Sequence, residues 1–355
     1  MHPLISIPLV VALVYRAWSR KSLTPLGLVI AALTATAHAL SPYSLPLFLL
    51  LVFYVGGTKA TRVKHDIKAQ LTLSATGSHG GEGARTHVQV LANSVVATVL
   101  ILIHAWVLRY NKATDDPTAE CFSNGHDAAD ILMVGVIANY AAVSADTFSS
   151  ELGILSKSNP RLITSPTLRV VPPGTNGGVT ATGLLAGALG AFTIGLTTAI
   201  LLPFCMADGN TFLSTFPDRA AWILAMTVWG TLGSILDSVL GGLLQASVVD
   251  KRSGKVVEGS GGQKVLIHPS STSPGSAENR SADATGAHLR KTEATANTAA
   301  LKGTREAKHE SRRVESGHDI LDNNAVNVLM ALIMSVGAMG VASYAWDISI
   351  LDIFA

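Results

Sequence analysis

Long stretches of the chain carry no charge. No Asp, Glu, Lys or Arg occurs between Ser22 and Thr58, from Val88 to Leu108, from Val179 to Ala207, or from Ala325 to Trp346. An apolar run of about 20 residues crosses the roughly 30 Å hydrocarbon core of a bilayer as a helix. The pattern resolves into eight apolar segments at roughly 3–19, 23–40, 43–58, 88–108, 128–146, 179–206, 220–247 and 325–346. The second and third share one uncharged run. It divides at Ser41-Pro42-Tyr43-Ser44-Leu45-Pro46, where proline ends one helix and begins another. The reading is an all-α, polytopic transmembrane helix bundle of about eight helices, or seven if the short first segment does not cross.

Loop charge orients the bundle. Lys and Arg concentrate after the first segment (Arg16, Arg20, Lys21), the third (Lys59, Arg62, Lys64, Lys68, Arg85), the fifth (Lys157, Arg161, Arg169) and the seventh. The intervening loops hold only Arg109 and Lys112 after the fourth, Arg219 after the sixth and none after the second. Positive loops face the cytoplasm, so both termini are expected outside. Positive charge follows the first apolar segment instead of preceding it, as in an uncleaved anchor. No Arg- and Ser-rich leader is present, which argues against plastid import and favours the endoplasmic reticulum or another endomembrane. From about Lys251 to Ser316 the chain turns rich in Ser, Thr, Gly, Ala and charge, a composition unable to bury a core. This predicts a disordered cytoplasmic insertion (251–316) between segments one to seven (1–250) and a final segment (317–355) that completes the bundle.

Composition then narrows the function. Only 14% of residues are charged, against about 25% for a typical globular chain, which excludes a soluble enzyme. A formal net charge of +2, with the positive residues in loops, excludes a nucleic-acid binder. Cys121 and Cys205 both fall on the outer side, where a disulfide is geometrically feasible; two separate thiols are the default expectation.

The chemistry gathers on the inner side. Asp146-Thr147-Phe148-Ser149-Ser150-Glu151 ends the fifth segment. An acid in a transmembrane helix costs about 2.5–3.5 kcal/mol, so it reads as functional. Asp146, Ser150 and Asn139 share a helix face, and Glu151 is near enough in sequence to join Asp146 in holding magnesium. The following connector carries Lys157, Asn159-Pro160-Arg161 and Arg169, then Pro172-Pro173-Gly174-Thr175-Asn176-Gly177-Gly178 before an apolar helix. Such glycines turn backbone N–H groups toward an anion at a helix N-terminus, with the cations adding charge for phosphates. Arg85, Gln89 and Asn93 recur at four-residue spacing. Asp237 sits between Gly233 and Gly241, and Asn323, Asn324 and Asn327 open the last segment. Amides and small residues also serve helix packing; a charged Asp237 does not.

These pieces carry a resemblance. Arg85 with Val88-Gln89-Val90-Leu91-Ala92-Asn93, Ala145-Asp146-Thr147 through Ser150-Glu151-Leu152-Gly153, Pro160-Arg161-Leu162-Ile163-Thr164, and Val171 through Val179 are four of them. Gly233-Ser234-Ile235-Leu236-Asp237-Ser238 and Asp322-Asn323-Asn324-Ala325-Val326-Asn327 complete the set. In order and spacing they resemble the integral membrane family known as domain of unknown function 92, the transmembrane protein 19 and phytyl-phosphate kinase family. The resemblance implies phosphorylation of an isoprenyl monophosphate to its diphosphate, with CTP or another nucleoside triphosphate as donor. In that reading Asp146, Glu151 and Asp237 hold Mg2+, and Arg161 joins them in catalysis. Lys157, Arg169, Gly174 to Gly178, Arg85, Gln89, Asn93 and the three asparagines bind the nucleotide. The 251–316 insertion and Gly-Ser-His-Gly-Gly-Glu before Arg85 depart from the pattern. A membrane transporter or a non-catalytic scaffold are the alternatives; a transporter would place its polar groups near the bilayer midplane.

Overall fold

A computed structural model describes residues 3–78, 80, 83–113, 121–125, 127–205, 216–265 and 312–354. All eight apolar segments are helices in it. They are α1 (Pro3–Ser19), α2 (Pro25–Ala39), α3 (Leu45–Arg62), α5 (His87–Ala113), α6 (Ala129–Gly153), α7 (Ala181–Leu201), α8 (Phe216–Leu244) and α9 (Asn323–Trp346), with a short α4 (His65–Leu71) after α3. The chain is a multi-pass helical bundle. Helices α5 to α9 are each long and apolar enough to cross a membrane, and α3 with α4 forms a further candidate span bent by 69°. The bend falls at Lys64, whose φ of 48° is left-handed and breaks the helix. Helices α1 and α2 have 17 and 15 residues. At 1.5 Å per residue they are shorter than the roughly 20-residue span, so among the described residues five or six helices have the length and composition of full spans. Pro25 and Ser41-Pro42 bound α2 on either side.

Helix α6 is the axis of the bundle. Every residue from Ala129 to Ala145 is buried, as expected of a helix that is apolar all round. Helices α7 and α8 close on it through small residues. A Cβ at Gly190 would lie 2.6 Å from Ser144 O, and one at Gly230 2.6 Å from Ala141 O, so neither position admits a side chain without separating the helices. The contact from Ala141 to Gly230 is followed by one from Ala142 to Gly233. Both numbers rise together, so α6 and α8 run in the same direction.

The two ends of the bundle differ. At one end Cys121 and Cys205 form a disulfide with Cα atoms 5.0 Å apart, in place of the two separate thiols expected. Four helices begin at the other end with side-chain caps. Thr24 Oγ1 accepts from Gly27 N, Thr180 Oγ1 from Gly183 N, and Asp322 Oδ1 from Ala325 N. The N-terminus of α5 is a reciprocal capping box: Thr86 N donates to Gln89 Oε1 (2.8 Å) and Gln89 N to Thr86 Oγ1 (3.4 Å).

This end also carries a small sheet that an all-α reading does not contain. Strands β1 (Leu73–Ser74), β4 (Ser247–Asp250), β5 (Val256–Glu258) and β6 (Arg312–Ser316) are ordered β1-β5-β4-β6. A two-stranded hairpin pairs β2 (Arg161–Leu162) with β3 (Gly178–Val179). Strand β4 follows α8, and β6 leads to α9. The flanks of the expected disordered insertion are therefore structured: Val256 and Val257 are buried together with Val248 and Val249 of the adjacent strand. The remainder of that insertion, 266–311, lies outside the described residues.

Candidate functional site

Following the parallel packing of α6 and α8 one turn beyond Ala142 and Gly233 brings Asp146 opposite Asp237. Their carboxyl groups stand within hydrogen-bonding reach of each other. With its amide oriented so that both of its polar atoms are satisfied, Asn327, one turn into α9, donates its NH2 to Asp237 Oδ1 (3.3 Å) and to Asn323 O (3.3 Å). Asp146, Asp237 and Asn327 form part of the wall of a cavity of about 770 Å³ at the end of the bundle opposite the disulfide. Two facing carboxylates repel unless a proton or a cation lies between them. Among the described residues no group of three or more His, Cys, Asp and Glu side chains is arranged to hold a metal ion. Two carboxylates are nevertheless the usual protein share of a magnesium site whose other ligands are water and substrate phosphates.

The cavity is ringed by helix N-termini. Thr86, Gln89 and Asn93 at the start of α5, Thr180 and Gly183 at the start of α7, and Asn323 and Asn324 at the start of α9 all line it. Each contributes the positive end of its helix dipole, although side-chain caps already engage some of the terminal N–H groups. Arg85, immediately before α5, is a cation on the same wall. Its backbone is clamped to the α1–α2 connection, Arg85 N donating to Ser22 O and Thr24 N to Arg85 O, both at 3.0 Å. Opposite, the segment after β5 lies along the cavity. Asn324 Nδ2 donates to Gly261 O (3.0 Å), and Lys264 pairs with Asp319 (3.1 Å). The result is a polar chamber whose lining combines an acidic pair, the N-termini of α5, α7 and α9, and an arginine.

Comparison with known proteins agrees with this membrane architecture. Residues 8–335 match the family described as integral membrane protein DUF92. The chain belongs to this family. It is 35% identical to Protein PGR of Arabidopsis thaliana over 244 residues, 68% of this chain and 79% of that protein. It is 33% identical to the uncharacterized membrane protein MJ0933 of Methanocaldococcus jannaschii over 199 residues, 56% of this chain and 65% of that protein. No solved structure matches the chain significantly.

In this DUF92 protein the residues singled out in the sequence separate into those brought together and those kept apart. Arg85, Gln89, Asn93, Asp146, Glu151, Gly174 to Gly178, Asp237, Asn323, Asn324 and Asn327 all line the one cavity. Within that set Glu151 does not join Asp146 and Asp237 as a third acid. Its Oε2 lies 2.5 Å from Lys68 Nζ and its Oε1 accepts from Thr61 Oγ1 at 2.7 Å, so both carboxylate oxygens are engaged on the α3–α4 side. The three connector cations do not line the cavity. Lys157 is exposed. Arg161 folds back to Leu168 O of its own loop (3.2 Å), and Arg169 pairs with Glu315 of β6 (2.8 Å).

The Gly-rich loop is a folded turn more than an open cradle. Gly174 and Gly177 have φ of 85° and 76°, the left-handed region that favours glycine. A Cβ at Gly177 would lie 2.7 Å from Gly242 Cα of α8, so this glycine lets the loop lie on the helix. Three of its N–H groups are committed: Thr175 to Pro172 O, Asn176 to Ser247 Oγ and Gly178 to Thr175 O. No sequence motif marks Lys68, Thr61 or the wall from Glu258 to Lys264 as part of this site. The Thr86-to-Gln89 spacing of a capping box was a signal in plain view; Lys68 offered none, because its partner arrives from a distant helix.

Proposed function

We propose that this protein transfers a phosphoryl group from a nucleoside triphosphate, CTP or a relative of it, to an isoprenyl monophosphate, giving the diphosphate. The observation that carries this reading is the Asp146–Asp237 carboxyl pair lining one cavity together with the N-termini of α5, α7 and α9 and Arg85. That chemistry suits polyphosphate, and it sits at one end of an apolar bundle that suits a lipid tail. In the reaction an oxygen of the acceptor phosphate bonds to the donor's γ-phosphorus. The bond from γ-phosphorus to the β,γ-bridging oxygen breaks, and the nucleoside diphosphate leaves with that electron pair. The acceptor is already an anion, so no strong general base is needed, in keeping with a site that lacks a committed histidine.

Asp146 and Asp237, with the Asn327 amide beside them, are the residues that would hold Mg2+, and the donor set fits it. When bound, the ion would neutralise charge on the donor phosphates. Arg85 and the N-termini of α5, α7 and α9 bind phosphate oxygens and orient the two anions toward each other. The disulfide at the opposite end agrees with that end facing an oxidising lumen, as in the endoplasmic reticulum or another endomembrane, and with the cavity facing cytosolic nucleotide.

The test is direct. Purified protein in lipid nanodiscs is supplied with prenyl monophosphates of graded length, magnesium and γ-labelled nucleotide. Label appearing in a prenyl diphosphate, and lost in Asp146→Asn, supports the assignment. No transfer from any nucleotide to any prenyl phosphate overturns it.

A further inference from the structure

Glu151 and Lys68 pose a problem that the phosphoryl-transfer reading leaves open. Both are largely buried, with side chains 16% and 9% exposed. A buried ion pair is a weak source of stability, because desolvation offsets most of its attraction. This pair does more than close on itself. Lys68 Nζ also donates to Ala60 O (3.1 Å), which ties α4 back against the end of α3. Glu151 Oε1 lies 2.7 Å from the Thr61 hydroxyl, and the same hydroxyl oxygen accepts from Arg85 Nη2 at 3.1 Å. The chain of contacts thus runs Lys68–Glu151–Thr61–Arg85 and ends on the cation that lines the cavity just before α5.

Two further observations point the same way. Among the described residues no carboxylate pairs with Arg85, so the rest of its fork is available to an anion in the cavity. The floor beneath the guanidinium is bare: a Cβ at Gly57 would lie 3.6 Å from Arg85 Nη1 and 3.8 Å from Nη2, so the planar group lies against a side-chain-free stretch of α3. A planar fork held at one nitrogen presents its remaining donors in a set direction, the geometry that recognises phosphate oxygens.

We infer that Lys68, Glu151 and Thr61 are positioning residues that aim Arg85 at a phosphate group in the cavity. Glu151 serves the arginine and not a metal. The inference rests on the proposed reading only in taking the ligand to be a phosphate.

The probe is inorganic pyrophosphate, with binding measured calorimetrically on the full-length protein in detergent and EDTA, so that no divalent cation contributes. Arg85→Ala should weaken binding by about tenfold or more, the usual loss for a charged hydrogen-bond partner. Glu151→Gln and Thr61→Val should each weaken it severalfold. The double variant Arg85→Ala/Glu151→Gln should bind no more weakly than Arg85→Ala alone, because the relay acts only through the arginine. Lys68→Arg, which keeps the charge, should retain most of the affinity that Lys68→Met loses. If Glu151→Gln fails to fold, as a lowered thermal midpoint would reveal, Thr61→Val and Lys68→Arg carry the comparison. Unchanged metal-free affinity in folded Glu151→Gln, additive losses in the double variant, or no pyrophosphate binding by the unsubstituted protein would each overturn the relay. Pyrophosphate binding with the expected pattern, in a protein that phosphorylates no prenyl phosphate, would leave the relay standing and sink the proposed reaction.

Discussion

Cys121 and Cys205 join the connection after α5 to the connection after α7, at the end of the bundle farthest from the Asp146–Asp237 pair. The bond is embedded in a local scaffold. Phe122 N donates to Pro203 O (2.7 Å) and Cys205 N to Phe122 O (2.8 Å). The Phe122 ring stands edge-on to Phe204, Trp222 and Trp346. The bundle is therefore braced covalently at one end and left with a polar chamber at the other.

Breaking that brace should loosen the bundle without touching the chamber. A bond closing 84 positions of sequence contributes about 2–4 kcal/mol through loop-closure entropy. Cys121→Ser should therefore lower the thermal midpoint while pyrophosphate binding stays within twofold, roughly the scatter expected of independent sites. On a non-reducing gel the parent chain should run faster than the variant. Equal mobility before and after reduction would remove the bond.

The acidic pair should be indispensable to the proposed transfer. Asp146→Asn keeps the shape of the side chain and removes its charge, and turnover should fall roughly a hundredfold or more, since about 1.4 kcal/mol is a factor of ten. Asp237→Asn should behave alike, because the two carboxyls face each other. Asp130→Asn gives the contrast. Asp130 is buried and accepts from Ser123 N (2.8 Å) and Ser123 Oγ (2.7 Å), so it should lose about 1–3 kcal/mol of stability with turnover intact. Initial rates with a prenyl phosphate, read beside thermal unfolding, separate the two effects; full activity in Asp146→Asn would defeat the assignment.

Lys68→Met should be strongly destabilising, by about 3–5 kcal/mol, because it leaves the Glu151 carboxylate buried without its cation. Adding Glu151→Gln to it should restore most of that loss while phosphate affinity stays low. Thermal midpoints of the two single variants and the double variant test this, and a double variant no more stable than Lys68→Met would contradict it.

Arg169→Ala and Lys157→Ala should be mild. Arg169 pairs with Glu315 at the surface, where such bridges are worth about 0–1 kcal/mol, and neither cation lines the cavity. Turnover is expected within about twofold of the parent on that scale. A tenfold loss in either would return the connector to the phosphate site.

The insertion should tolerate excision only in part. Removing 254–310 deletes β5 and the Gly261 contact to Asn324, and with them a wall of the cavity. Removing 268–309 spares both. Size-exclusion profiles and pyrophosphate binding should be preserved by the shorter excision and impaired by the longer. Equal behaviour of the two would mean that the Val256–Glu258 strand has no part in the site.

What the sequence determined by itself was what depends on local composition. Insertion into a bilayer is a matter of each segment's own transfer free energy, so the apolar runs, five of them free of charge, marked all eight helices. Pro42 and Pro46 divided two of them, and the clustering of motifs at one set of loops foretold a single polar end. Chain reach and pairing were another matter. That Asp146 would meet Asp237 depends on α6 and α8 running parallel through Gly230 and Gly233, a fact of packing that no local pattern carries. Glu151 looked like a partner for Asp146 because it is five residues away, yet on a helix that spacing turns its carboxylate toward α3 and α4, where Thr61 and Lys68 claim it. Arg161 and Arg169 looked like phosphate ligands for the same reason of proximity in sequence, and the β2–β3 hairpin and β6 engage them elsewhere. Polar side chains are satisfied by whatever partner the fold delivers, and only the tertiary structure decides which one that is.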